Sequence, residues 1–285
     1  MQPTTTRILI SCPDRRGIIA AVTAFLADHG GNILELDQHS DPQHAEFFMR
    51  VEVEQVGFDL ARDTFTEAWS KLADAFAMRW RVCWGDEIKR MAIVVSRESH
   101  CLSDLLWRWR IGELRVELPL VVSNHPDLRR EVEAMEIAFH HLPVGNENKL
   151  RQEAALQELL AQNQIDCVVL ARYMQILSAG FVAKYPAAII NIHHSFLPAF
   201  AGSKPYHQAY QRGVKIIGAT SHYVTERLDD GPIIAQAVTP VNHRDTVDDL
   251  IRKGRDLERV VLATAVRLHV EDKILLSKNK TVVFD

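Results

Sequence analysis

Alternation of apolar and polar positions is clearest in the segment EFFMRVEVE, near the start of the chain. Phe47, Met49, Val51 and Val53 alternate there with mostly polar neighbours, which is the period-two pattern of a strand with one covered face. The flanking runs predict strand, helix and strand before this segment, and helix and strand after it. Residues 5–84 are therefore predicted to form a ferredoxin-like βαββαβ unit.

The pattern changes after the polar segment GDEIK at 85–89, which we interpret as a linker. Continuous apolar runs, AIVV, PLVV, CVVL and AAII, then alternate with single helical segments. Such runs are typical of strands that are buried on both faces of a mostly parallel sheet. Residues 90–285 are therefore predicted to form a Rossmann-like α/β domain, in which ligands bind beyond the carboxyl ends of the strands.

The bulk properties restrict the function only coarsely. A length of 285 residues suits two unequal domains, and 47% hydrophobic with 25% charged residues is the composition of a soluble globular protein. The net charge of -4 argues against nucleic acid as a partner, and the apolar runs are too short to cross a membrane. The four cysteines are widely spaced, which argues against a disulfide framework or a zinc ribbon. We therefore expect a cytoplasmic protein with no membrane partner.

Polar residues gather among the apolar strands in the stretch that ends at Pro232. They are Asn191, His193, His194, His207, His222 and Asp229. Such groups are costly to bury unless they act together, so this stretch is predicted to hold an active site. On an extended strand Asn191 and His193 share one face, and His194 points the other way. An amide N–H beside a protonated imidazole suits an oxygen that becomes negative, which predicts an oxyanion site.

The segment LDDGP offers two neighbouring carboxylates, Asp229 and Asp230, on one turn. A carboxylate there could face His193, orient its ring and take a proton from water. Alternatively, both residues make only turn hydrogen bonds, as aspartate before glycine commonly does. Spacing alone does not separate the two residues, and it favours the turn role for each of them.

Three motifs in order, NIHxSxLP, a strand that carries SH, and LDxGPII, make residues 90–285 resemble the folate-dependent formyltransferase family. This resemblance implies that Asn191, His193 and Asp229 are catalytic. It also implies that ARYMQIL, which ends the CVVL strand, binds the pterin ring. The candidate folate-binding residues are Arg172, Tyr173, Met174, Leu177 and His222. Core packing of Met174 and Leu177, and a purely structural role for His222, stay open as alternatives.

The turn PDRRG between the first strand and the first helix, with its D-x-x-G-I pattern, makes residues 5–84 resemble the ACT domain. That resemblance implies a regulatory or dimerisation domain that binds an amino acid, with glycine or methionine as the suggested effector, and a homo-oligomer. The candidate effector-binding residues are Asp14, Arg16, Gly17 and Ile18. The alternative is that the turn only reverses the chain and the domain only dimerises.

From Arg7 onward the whole chain resembles the deformylase members of the formyltransferase family. Their activity is the hydrolysis of 10-formyltetrahydrofolate to tetrahydrofolate and formate, which supplies formate, balances one-carbon folate pools and connects to purine biosynthesis. The resemblance implies no cofactor and no metal beyond this folate substrate. The segment RESHCLSDLLW, which follows the first strand of the predicted catalytic domain, lacks the glycine-rich turn of a phosphate site. This agrees with the resemblance, because an enzyme that uses water does not need to hold a phosphorylated acceptor.

Three rival functions are weighed against this hydrolase. The first is a formyl transferase with an amine acceptor, and the second is an amino-acid-sensing regulatory protein. The third is a metal hydrolase built from His193, His194, His222 and Asp229, which is disfavoured because HExxH is absent and adjacent histidines on a strand diverge. His194 and Lys204 are weaker supporting candidates, while Tyr206 and His207 follow a proline and are expected to begin a helix.

Overall fold

The computed structural model of the chain describes residues 5–145, 148–199 and 205–285. They form two compact units. The first unit contains the residues up to Ile88, Glu271–Ser277 and Val282–Asp285, and the second contains Lys89–Val270 and Lys278–Thr281. Within the described residues, no helix combines the length and the apolar character needed to cross a bilayer.

The first unit follows the predicted βαββαβ order. Its elements are β1 (Thr5–Pro13), α1 (Ile18–Asp28), β2 (Asn32–Asp41), β3 (Glu46–Glu54), α2 (Arg62–Phe76) and β4 (Arg79–Trp84). The strands form an antiparallel sheet in the order β2-β3-β1-β4. The ferredoxin-like prediction is therefore confirmed.

Both faces of β3 are covered, although its sequence pattern predicted only one. Met49 and Val51 lie in the apolar core as expected, but Phe48 and Arg50 are also buried, with Arg50 only 2% exposed. The Arg50 Nε donates to the backbone oxygen of Asp272 at 3.2 Å, so the late segment of this unit covers the second face. The sequence pattern predicted that Arg50 would lie on a solvent-exposed face. Its partner Asp272 is more than 200 positions away, and a local pattern carries no information about such a distant residue.

The second unit is a seven-stranded sheet flanked by helices. Its strands are β5 (Arg90–Val95), β6 (Glu117–Ser123), β7 (Ala138–His141), β8 (Cys167–Ala171), β9 (Ile189–His193), β10 (Ile216–Tyr223) and β11 (Ile233–Pro240). Its helices are α3 (His100–Arg110), α4 (Arg129–Glu133), α5 (Lys149–Gln162), α6 (Ala179–Val182), α7 (Pro205–Arg212) and α8 (Val247–Val270). The strand order is β11-β10-β9-β8-β5-β6-β7, and β10 runs antiparallel to both of its neighbours while the other pairs are parallel. The mostly parallel Rossmann-like prediction is confirmed.

Sheet register determines where the polar residues meet. β5, β8 and β9 run in parallel, with Val95 opposite Ala171 and Leu170 opposite Asn191. Because β10 is antiparallel to β9, its late residue His222 pairs with Asn191. The register therefore places His222 beside Asn191, near the carboxyl ends of β5, β8 and β9.

The chain closes with the two-stranded pair β12 (Ile274–Ser277) and β13 (Lys280–Val283). The sequence predicted domains at 5–84 and 90–285, whereas Glu271–Ser277 and Val282–Asp285 belong to the compact first unit. The division into a regulatory domain and a catalytic domain stays a prediction about function.

Candidate active site

β9 presents Asn191 and His193 at the same edge of the second unit, as the period-two pattern predicted. Both residues line one cavity, together with His222 from β10. The prediction that His194 points elsewhere is wrong, because its ring centroid lies 5.3 Å from that of His193 and the residue lines the same cavity. β9 ends at His193, so strand alternation does not extend to the next position.

The turn after β10 brings a carboxylate to these imidazoles. Asp229 has a φ of 55°, a left-handed conformation that aspartate tolerates better than most residues. The following Gly231 packs tightly on β10, since a Cβ there would lie 1.8 Å from the backbone oxygen of Tyr223. The Asp230 backbone oxygen accepts a hydrogen bond from the Asn279 side chain, while its own carboxylate is largely exposed.

Four polar side chains form one connected group. Asp229 Oδ2 lies 3.3 Å from His193 Nδ1, and its Oδ1 lies 3.7 Å from His222 Nε2. Asn191 Nδ2 lies 3.2 Å from the same His222 Nε2. Hydrogen bonding from His193, and then from His222, holds the pKa of the Asp229 carboxyl well below its usual range. Asp229 is therefore an ionised carboxylate near neutral pH.

Hydrogen bonding also fixes the tautomer of His222. Its Nδ1 lies 2.9 Å from the backbone oxygen of Tyr223, so Nδ1 carries a proton and donates it. Its Nε2 faces one amide hydrogen of Asn191 at 3.2 Å and the Asp229 carboxylate at 3.7 Å. The second amide hydrogen of Asn191 is left for a ligand.

His193 keeps one nitrogen unused. The residue is 5% exposed, its Nδ1 faces Asp229, and its Nε2 is buried with no hydrogen-bond partner in the described part of the chain. An unpaired buried polar atom is costly, and such atoms in native proteins call for a functional explanation. A ligand oxygen accepting from Nε2 would satisfy it.

The cavity has a volume of about 600 Å³, within the usual range for small-molecule sites. All five candidate folate-binding residues line it: Arg172, Tyr173, Met174, Leu177 and His222. Met174 is 57% exposed, so the alternative that it is plain core is wrong, whereas the half-buried Leu177 packs against the apolar cluster beneath. Tyr173 is a core residue, and burial raises its pKa to about 12.

The segment from Arg172 to Ser178 is held from below by buried polar side chains. The backbone N–H of Met174 donates to Ser96 Oγ at 3.1 Å. Gln152 on α5 donates to the Tyr173 hydroxyl at 3.1 Å. The next residue, Glu153, accepts from the Ser178 backbone N–H at 2.9 Å and from its hydroxyl. The cavity-lining segment is thereby tied to two neighbouring elements.

Glu258 on α8 centres a second polar cluster that the sequence analysis missed. It is 1% exposed, and its carboxylate accepts from the Tyr206 hydroxyl at 2.6 Å and contacts His100 Nε2 at 2.8 Å and Arg172 Nε at 3.3 Å. Burial would raise the pKa of Glu258, but hydrogen bonding from His100 and the charge of Arg172 outweigh it and lower the pKa. The sequence did contain a sign of its burial, because Glu258 lies eight residues after the buried Leu250 and therefore on the apolar face of the helix.

Among the residues that the structure describes, the imidazoles of the site do not converge as a group of metal ligands. In the described ranges, the one group of three ligand-type side chains with converging atoms is His100, Cys101 and Glu258. The guanidinium of Arg172 beside Glu258 opposes a cation at that place.

The other predicted residues that the structure describes lie at the turn before α1 and at the start of α7. In the first unit, Asp14 and Arg16 are exposed on the turn before α1, and Gly17 has a φ of 92° with open space around it. Ile18 packs in the apolar core, which leaves only its backbone at the helix N-terminus. In the second unit, α7 begins at Pro205 as expected, with His207 exposed on it. Lys204 lies outside the described residues.

Similarity to known proteins identifies the family. The Formyl transferase family matches residues 89–266, and the ACT domain matches residues 6–57. Formyltetrahydrofolate deformylase from Synechocystis sp. is 56% identical over 284 residues, which is 100% of both chains. The chain belongs to the formyltetrahydrofolate deformylase family. Another deformylase, from Pseudomonas syringae pv. tomato, has a crystal structure that is 50% identical, with a TM-score of 0.98 over 100% of this chain and 96% of that one.

The deformylase family shares its second-unit fold with transferases. Glycinamide ribonucleotide transformylase 1 from Symbiobacterium toebii is 31% identical, with a TM-score of 0.66. The match covers 71% of this chain and 97% of that one. The named deformylases therefore match the whole chain, whereas this transformylase matches only part of it.

Proposed function

We propose that the protein hydrolyses 10-formyltetrahydrofolate to tetrahydrofolate and formate. The observation that carries the proposal is the 56% identity to a named deformylase over the full length of both chains. The cavity supports it, because an amide, two imidazoles and an ionised carboxylate meet there at hydrogen-bonding or near hydrogen-bonding distances. The enzyme thus acts as a hydrolase on a linear amide bond.

A formyl transferase of the same fold is the alternative, and it must also hold an amine acceptor. The turn from β5 to α3, residues 96–99, has the sequence SRES and contains no glycine. It lacks the residues that let backbone amides approach a phosphate closely. This feature favours water over a phosphorylated amine as the second substrate.

In the proposed mechanism Asn191 and protonated His193 stabilise the tetrahedral oxyanion. Asn191 contributes the amide hydrogen that His222 does not use, and His193 contributes Nε2–H, which has no partner among the described residues. Donors that are already oriented before reaction stabilise the developing charge without reorganisation. N10 of the folate leaves after receiving a proton.

Asp229 is proposed to orient His193 and to neutralise its positive charge. The prediction that it also helps to deprotonate water stays a prediction, because both of its oxygens already face imidazoles. Its strongest contact is with His193 Nδ1.

The Arg172–Ser178 segment is proposed to bind the pterin, with Met174, Leu177 and His222 on the same cavity wall. Glu153→Ala removes the buried carboxylate that holds Ser178. Hydrogen bonds to charged groups contribute about 1.5–3 kcal/mol, so we expect KM for 10-formyltetrahydrofolate to rise about tenfold, with a smaller change in kcat. Steady-state kinetics measures both.

Glu158→Ala on the same helix is the matched control, because Glu158 is exposed and accepts a hydrogen bond from Gln162 within its own helix. We expect it to leave KM unchanged. An unchanged KM for Glu153→Ala, or a fall in kcat alone, would contradict the proposed role of the segment.

We also infer that the first unit binds a small-molecule effector, glycine or methionine, at Asp14, Arg16, Gly17 and Ile18, and that the enzyme is a cytoplasmic homo-oligomer. The match of residues 6–57 to the ACT domain supports effector binding. The open space at Gly17 beside the start of α1 is suited to a carboxylate. The proposed chemistry uses side chains of the chain and no cofactor.

Formate release from 10-formyltetrahydrofolate without any added acceptor tests the proposed function. We expect stoichiometric formate and tetrahydrofolate from the purified wild-type chain. Formyl transfer to an added amine, with no formate in its absence, would favour the transferase and contradict the hydrolase.

A further inference from the structure

His194 lies beside the proposed oxyanion site without a role in the scheme above. Its ring lies 5.3 Å from the ring of His193 and 6.0 Å from the ring of Tyr206. The residue is half-buried and lines the same cavity as Asn191. The contacts made by the described residues leave both ring nitrogens without a hydrogen-bond partner.

His194 is surrounded by charged groups from several elements. Burial, and then the charge of Arg172, lower its pKa to about 4, against the opposing effects of Glu258 and Asp229. His193 adds to the lowering. His194 is therefore neutral near pH 7, and one of its ring nitrogens carries a free lone pair.

The imidazoles of His193 and His222 and the carboxylate of Asp229 are already engaged, whereas His207, which also lines the cavity, is exposed on α7. His222 donates from Nδ1 to a backbone oxygen, and its Nε2 lies near Asn191 Nδ2 and Asp229 Oδ1. Asp229 faces two imidazoles. His193 is assigned as a donor to the oxyanion. Hydrolysis still requires an acceptor for the proton that the attacking water loses, and His194 is the cavity-lining imidazole near His193 whose lone pair is uncommitted.

We propose that His194 binds the attacking water and accepts its proton during the attack. This proposal rests on the proposed hydrolysis and adds a catalytic residue to it. The water oxygen forms a bond to the formyl carbon, the carbonyl electron pair moves to oxygen, and one water proton passes to His194. When the C–N10 bond breaks, its electron pair returns to N10, which takes that proton. Formic acid then loses a proton to solvent, and His194 is neutral again.

The Glu258 cluster fixes the surroundings of His194. The Tyr206 hydroxyl donates to Glu258, which places the Tyr206 ring beside His194. Gly254 permits this packing, since a Cβ there would lie 2.0 Å from the Tyr206 oxygen. The same carboxylate contacts Arg172, whose charge disfavours protonation of His194. The buried cluster therefore holds the Tyr206 ring beside His194 and favours the neutral state of the proposed base.

The test compares formate release by the wild type, His194→Ala and His194→Gln from about pH 7 to about pH 9. We expect kcat of both variants to be about 10²-fold lower at pH 7, with KM changed little, as for loss of a general base. The ratio of wild-type to variant kcat should shrink about tenfold per pH unit, because hydroxide replaces the missing base. His243→Ala, at an exposed position outside the cavity, is the control and should match the wild type.

A wild type that releases no formate would contradict the proposed function itself. With an active wild type, His194 is not the base if either folded variant keeps kcat within about threefold of it. A constant ratio across pH, or weaker tetrahydrofolate binding that accounts for the whole loss, also overturns the proposal. Circular dichroism checks folding, and His194→Gln, which keeps most of the side-chain volume, decides if the alanine variant unfolds.

Discussion

Asp229→Asn is expected to slow formate release by about 10²-fold or more, whereas Asp230→Asn should leave it unchanged. The first substitution keeps the shape of the side chain but removes the negative charge beside His193 Nδ1. The imidazole then loses its carboxylate partner, and the asparagine amide can hold the ring in the wrong tautomer. The Asp230 carboxylate instead lies near Arg227 on the surface.

This pair is a matched comparison because both residues belong to the same turn and both substitutions remove one charge. Kinetics with 10-formyltetrahydrofolate should locate the Asp229→Asn defect in kcat, with the dissociation constant of tetrahydrofolate preserved. Equal effects at the two positions would show that the turn, and not the carboxylate facing His193, determines the rate.

His193→Ala is expected to lower kcat by about 10²–10³-fold, the usual effect of losing one oxyanion donor. The His193 Nε2 is buried without a described partner, so its removal takes away a donor that only a ligand would satisfy. His193 lies outside the proposed pterin segment, and KM should therefore change less than kcat.

The control for His193→Ala is again His243→Ala, which removes an imidazole from an exposed loop. Single-turnover measurements separate the chemical step from product release. Near wild-type turnover of the folded His193→Ala variant would remove His193 from the mechanism.

Local pattern was sufficient for most of the fold. Hydrophobic periodicity shows which positions are buried, and burial distinguishes the strands. It did so for the alternating β3 and for the continuous apolar runs of β5, β6, β8 and β9. Covering of Arg50 by Asp272 was missed, because local pattern carries no information about a partner so distant in the chain.

The site was predictable only in part. Asn191 and His193 both line the cavity as predicted, but so do Ile192 and His194, so strand alternation did not identify which residues face it. Nothing in the spacing separated Asp229 from Asp230, and only the resemblance to a known motif did so. Glu258 was overlooked because charged residues usually lie on the solvent face of a helix, whereas this one has three polar partners from three other elements.

Residues beyond position 270 cover one face of β3, and this affects when the first unit can complete its folding during synthesis. During synthesis the first 88 residues emerge early, and N-terminal domains generally begin to fold as they emerge. Here the carboxylate of Asp272, which is fully buried and lies 3.3 Å from Arg7 and 3.4 Å from Arg81, is supplied much later. Until then Arg50 lacks its backbone acceptor. The nascent first unit therefore stays incomplete while the entire second unit is translated, and a fragment that ends at Ile88 omits part of its own structure.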